Sequence, residues 1–168
     1  GNLILILNEL HKPEPSFYKI TSDFEKDVTL SYKLLRMVNS AYYGTRYKIE
    51  SIHQALVKLG TKELTRWVNI MLLKGVRNNE NAEMIKTSLI RGKVLALLSV
   101  AINDKKQESN YFIVGIFSAI DVLTNQGMAE AISQLPLVDT VQATLLGENT
   151  AMRKALDAIR DYEKAKWD

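Results

Sequence analysis

The chain has 168 residues, of which 46% are hydrophobic and 24% charged, enough for one substantial core. Cysteine is absent, which excludes disulfides, thiolate metal sites and a cysteine nucleophile and favours a cytoplasmic location. The net charge is only +3, with acidic and basic residues interleaved, so composition does not favour a nucleic-acid partner. The apolar runs are shorter than the roughly 20 residues of a membrane-spanning helix, and we expect neither a span nor a signal peptide.

The first strong helical pattern is VTLSYKLLRMVNS. Leu30, Leu34 and Val38 fall on one face at helical spacing, and Asp27 stands at the N-cap position. The apolar segment that precedes it, Leu3 to Leu10, is interpreted as a join to a domain further upstream. We expect a loop in HKPEP, between that join and the helix.

A second helical pattern follows in SIHQALVKLG. Ser51 and Gln54 have the spacing of a capping box, and Gly60 is a typical helix end. The next segment places Leu64 and Val68 on one apolar stripe, so we expect another helix there.

The second half of the chain is also helical in pattern. Between Glu80 and Ile102 a row of small residues predicts close approach of a neighbouring helix: Ser88, Gly92, Ala96 and Ser99. The run YFIVGIFSAIDVL, Tyr111 to Leu123, is apolar nearly all round and predicts one central helix. We expect this helix to cross the helix between Glu80 and Ile102 closely, with Gly115 and Ala119 at the contact.

Three shorter patterns complete the chain. We expect helices at 128–135 and 138–146, and an amphipathic last helix that carries Met152, Leu156, Ile159 and Tyr162. No alternating strand pattern occurs in the sequence. The predicted fold class is therefore all-α.

Motifs for nucleotide or metal chemistry are scarce. The sequence contains neither a G-x-G-x-x-G motif nor a Gly-Lys-Ser/Thr phosphate loop. Its two histidines are isolated: we interpret His11 as a solvated turn residue and His53 as a surface or boundary residue of its helix. We expect no cofactor and no metal.

The loop in NSAYYGTRYKI interleaves aromatic and basic residues, a combination that can stack on bases or anchor a protein partner. With the nearby Arg-Trp pair it gives a candidate partner-binding face: Asn39, Ser40, Tyr42, Tyr43, Arg46, Tyr47, Arg66 and Trp67. The alternative is that the tyrosines cover the core while Asn39 and Ser40 cap the preceding helix.

The stretches DVTLSYKLLRMVNSAYYG, IESIHQALVKLG, YFIVGIFSAIDVL, LPLVDTVQATLLG and DYEKAKWD closely resemble the HDOD domain, the HD-related output domain of bacterial signalling proteins. They resemble in particular the HDOD domain of proteins in which it is the C-terminal domain and follows a cyclic-di-GMP phosphodiesterase-type EAL domain. The resemblance implies an HD-domain-like helical bundle, a single HDOD domain over residues 1–168, and an upstream EAL domain joined through residues 1–12.

In catalytic HD phosphohydrolases the corresponding central helix carries a His-Asp doublet that binds metal. Matching its leading glycine to Gly115 places Ser118 and Ala119 in that slot, and the sequence has no His-Asp dipeptide. Asp121, two positions later, cannot replace the doublet. We expect it to be a structural acid that caps a neighbouring helix or pairs with Arg or Lys, near the C-terminus of its own helix, where the dipole disfavours it.

The sequence thus predicts a domain without enzymatic activity that relays signals by binding its EAL domain or other signalling proteins. Two alternatives stay open: a divergent metal-dependent phosphohydrolase, which the shortage of histidines disfavours, and a nucleotide or nucleic-acid binder that uses the tyrosine-rich loop.

Overall fold

A computed structural model describes residues 1–40, 48–76 and 81–167, and these form helices and turns without a β-strand. This confirms the all-α class and is consistent with an HD-like helical bundle. The residues pack as two compact units, Gly1–Val68 and Asn69–Asp168. The division concerns packing alone, so the single domain expected over 1–168 stays a prediction.

In its described part, unit 1 contains three helices and the greater part of a fourth: α1 (Asn2–Leu10), α2 (Phe17–Glu25), α3 (Val28–Val38) and α4 (Ile52–Lys74). The interior of this unit is aliphatic and aromatic. Its fully buried side chains include Ile6, Ile20, Phe24, Leu34, Val38, Leu56 and Leu64.

Polar side chains mark the starts of these helices. The Asp27 carboxylate accepts a hydrogen bond from the Leu30 amide at 3.0 Å, which confirms the predicted N-cap of α3. The Ser51 hydroxyl accepts from the Gln54 amide at 3.1 Å, while the Gln54 side chain accepts from the Glu50 amide at 3.3 Å. The side chains of Ser51 and Gln54 therefore both cap the start of α4. In a standard capping box Gln54 would accept from the Ser51 amide, whereas here it accepts from the Glu50 amide.

Gly60 interrupts α4, as the sequence predicts. Its φ of 75° and ψ of 171° lie outside the helical region and suit glycine. The residues on either side remain helical, so α4 is two helical segments joined at a kink.

The N-terminal apolar segment is itself a helix that packs inside unit 1. Ile6, Leu7 and Leu10 of α1 are buried, whereas Leu5 is exposed. Glu9 is also buried; its carboxylate accepts from the Ser16 amide at 3.1 Å and pairs with Lys12 at 2.6 Å. The hydrogen bond with Lys12 is the main reason why the pKa of Glu9 lies below its usual value. The predicted role of residues 1–12 as a join to an upstream domain stays a prediction.

In the described residues, unit 2 contains the end of α4 and six further α-helices: α5 (Ala82–Ala101), α6 (Glu108–Phe117), α7 (Ile120–Thr124), α8 (Met128–Ile132), α9 (Asp139–Leu145) and α10 (Ala151–Trp167). The central helix is α6, whose residues from Tyr111 to Phe117 are all buried. It packs against α5, α9 and α10. In α10, Met152 and Leu156 are buried, but Tyr162 is exposed.

The predicted close crossing of α5 and α6 is confirmed at two glycines. A Cβ atom added to Gly115 would lie 2.4 Å from the Gly92 Cα, and one added to Gly92 would lie 2.6 Å from the Ile116 side chain. The other three small residues of the predicted row on α5 are also buried: Ser88, Ala96 and Ser99. Glycine is required here because the two backbones are in contact.

The prediction of one helix from Tyr111 to Leu123 is wrong, because the chain breaks at Ser118 and Ala119 into α6 and α7. The Ser118 hydroxyl donates to the Gly115 carbonyl at 2.7 Å, a local bond that competes with continuation of the helix. Asp121 consequently lies in the first turn of α7. Its expected position near a helix C-terminus is corrected, and the backbone dipole there favours its charge.

Candidate functional site

The slot that corresponds to the metal-binding doublet lies at the break between α6 and α7, where Ser118 and Ala119 are both buried. The Ser118 hydroxyl accepts a hydrogen bond from Arg91 Nη1 at 3.2 Å while donating to Gly115. Its carbonyl accepts from Arg160 Nη2 at 2.7 Å. The polar groups of Ser118 are therefore bonded to α5, α6 and α10.

Arg91 is held in place by Glu163 of α10. Its Nε and Nη2 atoms donate to the two carboxylate oxygens of Glu163 at 2.8 and 2.7 Å, a bidentate pair. The Arg91 side chain is only 11% exposed and that of Glu163 31%. The hydrogen bond from Arg91 is the main cause that holds the pKa of Glu163 below its usual value.

Further charges surround this pair. Burial is the main cause of a lowered pKa at Arg160, and repulsion by Arg91 and Arg153 acts in the same direction. Asp157 and Asp121 oppose it, and Asp157 also pairs with Arg153 Nε at 3.2 Å. Asp121 contributes the smallest of these effects, so its role as a structural acid stays a prediction.

We call this group the slot cluster: Arg91, Ser118, Arg160 and Glu163. It contains one carboxylate and no imidazole, whereas divalent cations need several anionic or neutral donors. Within residues 1–40, 48–76 and 81–167, no group of three or more His, Cys, Asp or Glu side chains is arranged to hold a metal ion. The cluster joins α5 and α10 to the break after α6. Its geometry is that of a structural ionic lock.

The two histidines lie where the sequence places them, on the surface. His11 is exposed at the C-cap of α1, and His53 is exposed in the first turn of α4. In the described part of the chain, no helix combines the length and the apolarity that crossing a membrane requires.

The tyrosine-rich loop is described only at its two ends. Tyr42, Tyr43, Arg46 and Tyr47 lie outside the described residues, so their role in a partner-binding face stays a prediction. Ser40 is exposed just before the loop.

Asn39 fastens these two ends to each other. Its amide nitrogen donates to the Leu35 carbonyl at 2.9 Å and to the Ile49 carbonyl at 2.8 Å, and its side-chain oxygen accepts from the Ile49 amide at 2.7 Å. These bonds to the backbone support the capping alternative for Asn39, and its role in a partner-binding face stays a prediction. Beside it is an open groove with a volume of about 550 Å³, lined by Tyr32, Leu35, Arg36, Asn39, Lys48, Ile49 and Glu50.

The expectation for Trp67 needs correction. Its side chain is only 9% exposed, and its ring packs against Phe24 with 6.1 Å between ring centroids. The ring is part of the interior of unit 1 and is not free to anchor a partner. Its neighbour Arg66 is half-buried.

One exposed feature was not predicted from the sequence. On the side of α5 that faces away from α6, Ile90, Val94 and Leu97 are 54%, 41% and 64% exposed, with Lys86 and Lys93 beside them. The signal in the sequence is that the run IRGKVLALLSV has apolar residues on both faces of a helix.

Known proteins place this arrangement in a family. Residues 2–156 match the HDOD domain, and the chain therefore belongs to the HDOD family. The all-α fold of the described residues is consistent with this family. No solved structure gives a significant match.

Two relatives carry the similarity at the level of sequence. The chain is 36% identical over 166 residues to the uncharacterized protein YuxH of Bacillus subtilis, covering 97% of this chain and 40% of that protein. It is 30% identical over 162 residues to the cyclic di-GMP phosphodiesterase CdgJ of Vibrio cholerae, covering 96% of this chain and 38% of that protein. The chain spans about two fifths of the length of these relatives.

Proposed function

We propose that the chain is a non-catalytic output module of a cyclic-di-GMP signalling protein. It acts by binding an EAL domain that precedes it in the natural protein, or other signalling proteins. In this role it relays signals by binding other domains or proteins, and it does not catalyse a reaction.

The observation that carries the proposal is the slot cluster. Where catalytic relatives of the fold would need metal ligands, Arg91 and Arg160 hold Ser118, and Glu163 neutralises Arg91 at 2.7 Å. Two guanidinium groups next to the slot repel a cation, and the Glu163 carboxylate is already bonded to Arg91. Without a cation to activate water, attack on a phosphoester has no nucleophile at this position.

The relatives support the signalling context. One of them is named as a cyclic di-GMP phosphodiesterase, and the chain matches 38% of its length. A partner domain in the remaining part of such a protein is what an output module would need. Binding to that domain is also consistent with exposed apolar side chains on α5.

A first experiment tests the absence of catalysis. The purified chain is incubated with cyclic di-GMP, and separately with p-nitrophenyl phosphate, in the presence of Mn²⁺, Fe²⁺ or Mg²⁺. We expect no turnover above a protein-free control. Metal-dependent turnover that disappears in Arg91→Ala or Ser118→Ala would support the phosphohydrolase alternative and contradict the proposal.

A second experiment tests the binding role. The chain and an EAL domain from the same natural protein are expressed separately and mixed, and complex formation is followed by analytical ultracentrifugation. We expect a complex with defined stoichiometry. The double variant Tyr43→Ala with Arg46→Ala tests the predicted contribution of the loop; unchanged binding of this folded variant would remove the loop from the interface.

A further inference from the structure

The outer side of α5 carries apolar surface that packing within unit 2 does not use. The inner side, with Leu95 and Ala96, is buried against α6. Ile90, Val94 and Leu97 on the outer side follow the i, i+4, i+7 spacing and remain largely exposed. A helix that is apolar on both sides is normally covered on both sides. The described residues leave one side of α5 uncovered.

The exposed stripe continues into a shallow groove with a volume of about 450 Å³ along the first half of α5, lined by Ala82, Ile85, Lys86, Leu89, Ile90 and Lys93. Stripe and groove share Ile90, but the groove residues Ile85 and Leu89 are partly buried against the core of unit 2. We call Lys86, Ile90, Lys93, Val94 and Leu97 the outer α5 surface. It extends over about 17 Å at 1.5 Å per residue, about three helical turns.

The charge on this surface is one-sided. Lys86 and Lys93 line the same edge, two helical turns apart, and both are exposed. On the opposite edge Arg91 is turned toward Glu163 and is nearly buried. The acidic residue of α5 is Glu83, one turn before the surface begins. A partner therefore meets apolar side chains flanked by two cations.

We propose that the outer α5 surface binds an amphipathic helix of a partner protein or domain, with apolar anchors at i, i+3 or i+4 and i+7 and acidic residues along one edge, two turns apart. This inference rests on the proposed function and specifies where such a module is recognised. The apolar stripe supplies the area that a helical partner buries. Lys86 and Lys93 fix its orientation and select an acidic edge.

A second copy of this chain fits the surface less well. Antiparallel pairing of two α5 helices about a twofold axis between Ile90 and Leu97 would bring Lys93 close to Lys93 of the other copy. Like charges facing each other disfavour an interface. An acidic helix gains an ion pair at the same position.

The experiment uses a fluorescein-labelled 18-residue synthetic helix with leucines at the anchor spacing and glutamates two turns apart along one edge. A second peptide has lysines in place of the glutamates. Fluorescence anisotropy measures the Kd of each peptide for the folded chain. We expect the acidic peptide to bind at least about tenfold more tightly, a difference of about 1.4 kcal/mol. The double variant Lys86→Glu with Lys93→Glu should reverse the order.

The variant Leu97→Asp should weaken binding of the acidic peptide at least about tenfold. Val122→Asp is the matched control, because Val122 is 61% exposed in the same unit but lies on α7. The inference is overturned if neither peptide binds, if Leu97→Asp binds as wild type does, or if Val122→Asp weakens binding equally. Self-association that Leu97→Asp abolishes would assign the surface to a second copy and overturn the inference as well.

The same variants separate this inference from the proposed function. If the chain binds the EAL domain and Leu97→Asp binds it equally well while also binding the peptide as wild type, the output function stands and the surface assignment fails. If the acidic peptide binds as expected but the EAL domain does not, the surface assignment stands and the proposed partner is wrong.

Discussion

Both sides of α5 carry apolar side chains, but one side is buried and the other is exposed. On the inner side small residues let α6 approach until the backbones of Gly92 and Gly115 touch, and Leu95 is completely buried. On the outer side Leu97, two residues further along the same helix, is 64% exposed. The difference shows that hydrophobicity alone does not determine which face folds inward; shape complementarity with a neighbour does. Folding therefore depends on the inner side, and the outer side is available for binding.

The largest expected effect comes from truncating the inner leucine. Leu95→Ala should lower the free energy of unfolding by about 2–5 kcal/mol, because it leaves a cavity in a packed interior. Leu97→Ala is the matched control and should change it by less than about 0.5 kcal/mol. Urea denaturation followed by circular dichroism measures both. Equal losses for the two variants would mean that the outer side is also part of the folding core.

A smaller but definite loss is expected at the helix crossing. Gly115→Ala adds a methyl group 2.4 Å from the Gly92 backbone, so α5 and α6 must separate. We expect destabilisation by about 1–3 kcal/mol, measured in the same denaturation experiment. Ala101→Leu adds more atoms at an exposed position of α5 and should be nearly neutral. A stable Gly115→Ala variant would contradict the close crossing.

The crossing was predictable because it depends on local spacing: small residues one turn apart on one helix, and a glycine on the next. The Asp27 cap and the kink at Gly60 were predictable for the same reason. The break after α6 was not, since apolar residues stand on both sides of Ser118 and the hydrogen bond of its side chain to Gly115 cannot be read from residue spacing.

The candidate site was less predictable than the fold. The empty doublet position could be recognised from the sequence, but the partners of Ser118 could not, because Arg91 and Arg160 lie 27 and 42 positions away from it. Trp67 appeared to be a binding residue because it adjoins an arginine, although packing against Phe24 places it inside. The helical nature of α1 was hidden by its unbroken apolar run, which has no clear polar face.

At the edge of α5 between its two sides, the ionic lock should contribute moderately to stability. Glu163→Gln keeps the size of the side chain but leaves Arg91, only 11% exposed, without its anionic partner. We expect the free energy of unfolding to fall by about 1–3 kcal/mol at pH 7. Glu148→Gln, at an exposed position, is the control. If the two variants are equally stable, the lock does not hold α10 against α5.

The same lock predicts a pH dependence. The folded-state pKa of Glu163 is lowered, mainly by its hydrogen bond from Arg91. Its contribution to stability is therefore complete above the unfolded-state pKa of about 4.3 and is lost as pH falls through the lower folded-state value. The stability difference between wild type and Glu163→Gln, measured by urea denaturation, should be constant near neutral pH and shrink below about pH 4.3. A difference that grows on acidification would contradict this sign.

The smallest effect on stability is expected at Lys93, a basic residue of α5 outside the slot cluster. Lys93 is exposed on the edge of the outer surface, whereas Arg91, two residues earlier, is nearly buried against Glu163. Lys93→Gln should change the free energy of unfolding by less than about 0.5 kcal/mol and leave its pH profile unchanged. Arg91→Gln, the matched change, should cost more because Glu163 and Ser118 both lose a donor. If Lys93→Gln lowers the thermal midpoint as much as Arg91→Gln does, the outer edge belongs to the folding interface. If it does not, a loss of peptide binding in the same variant measures recognition and not a loss of folded protein.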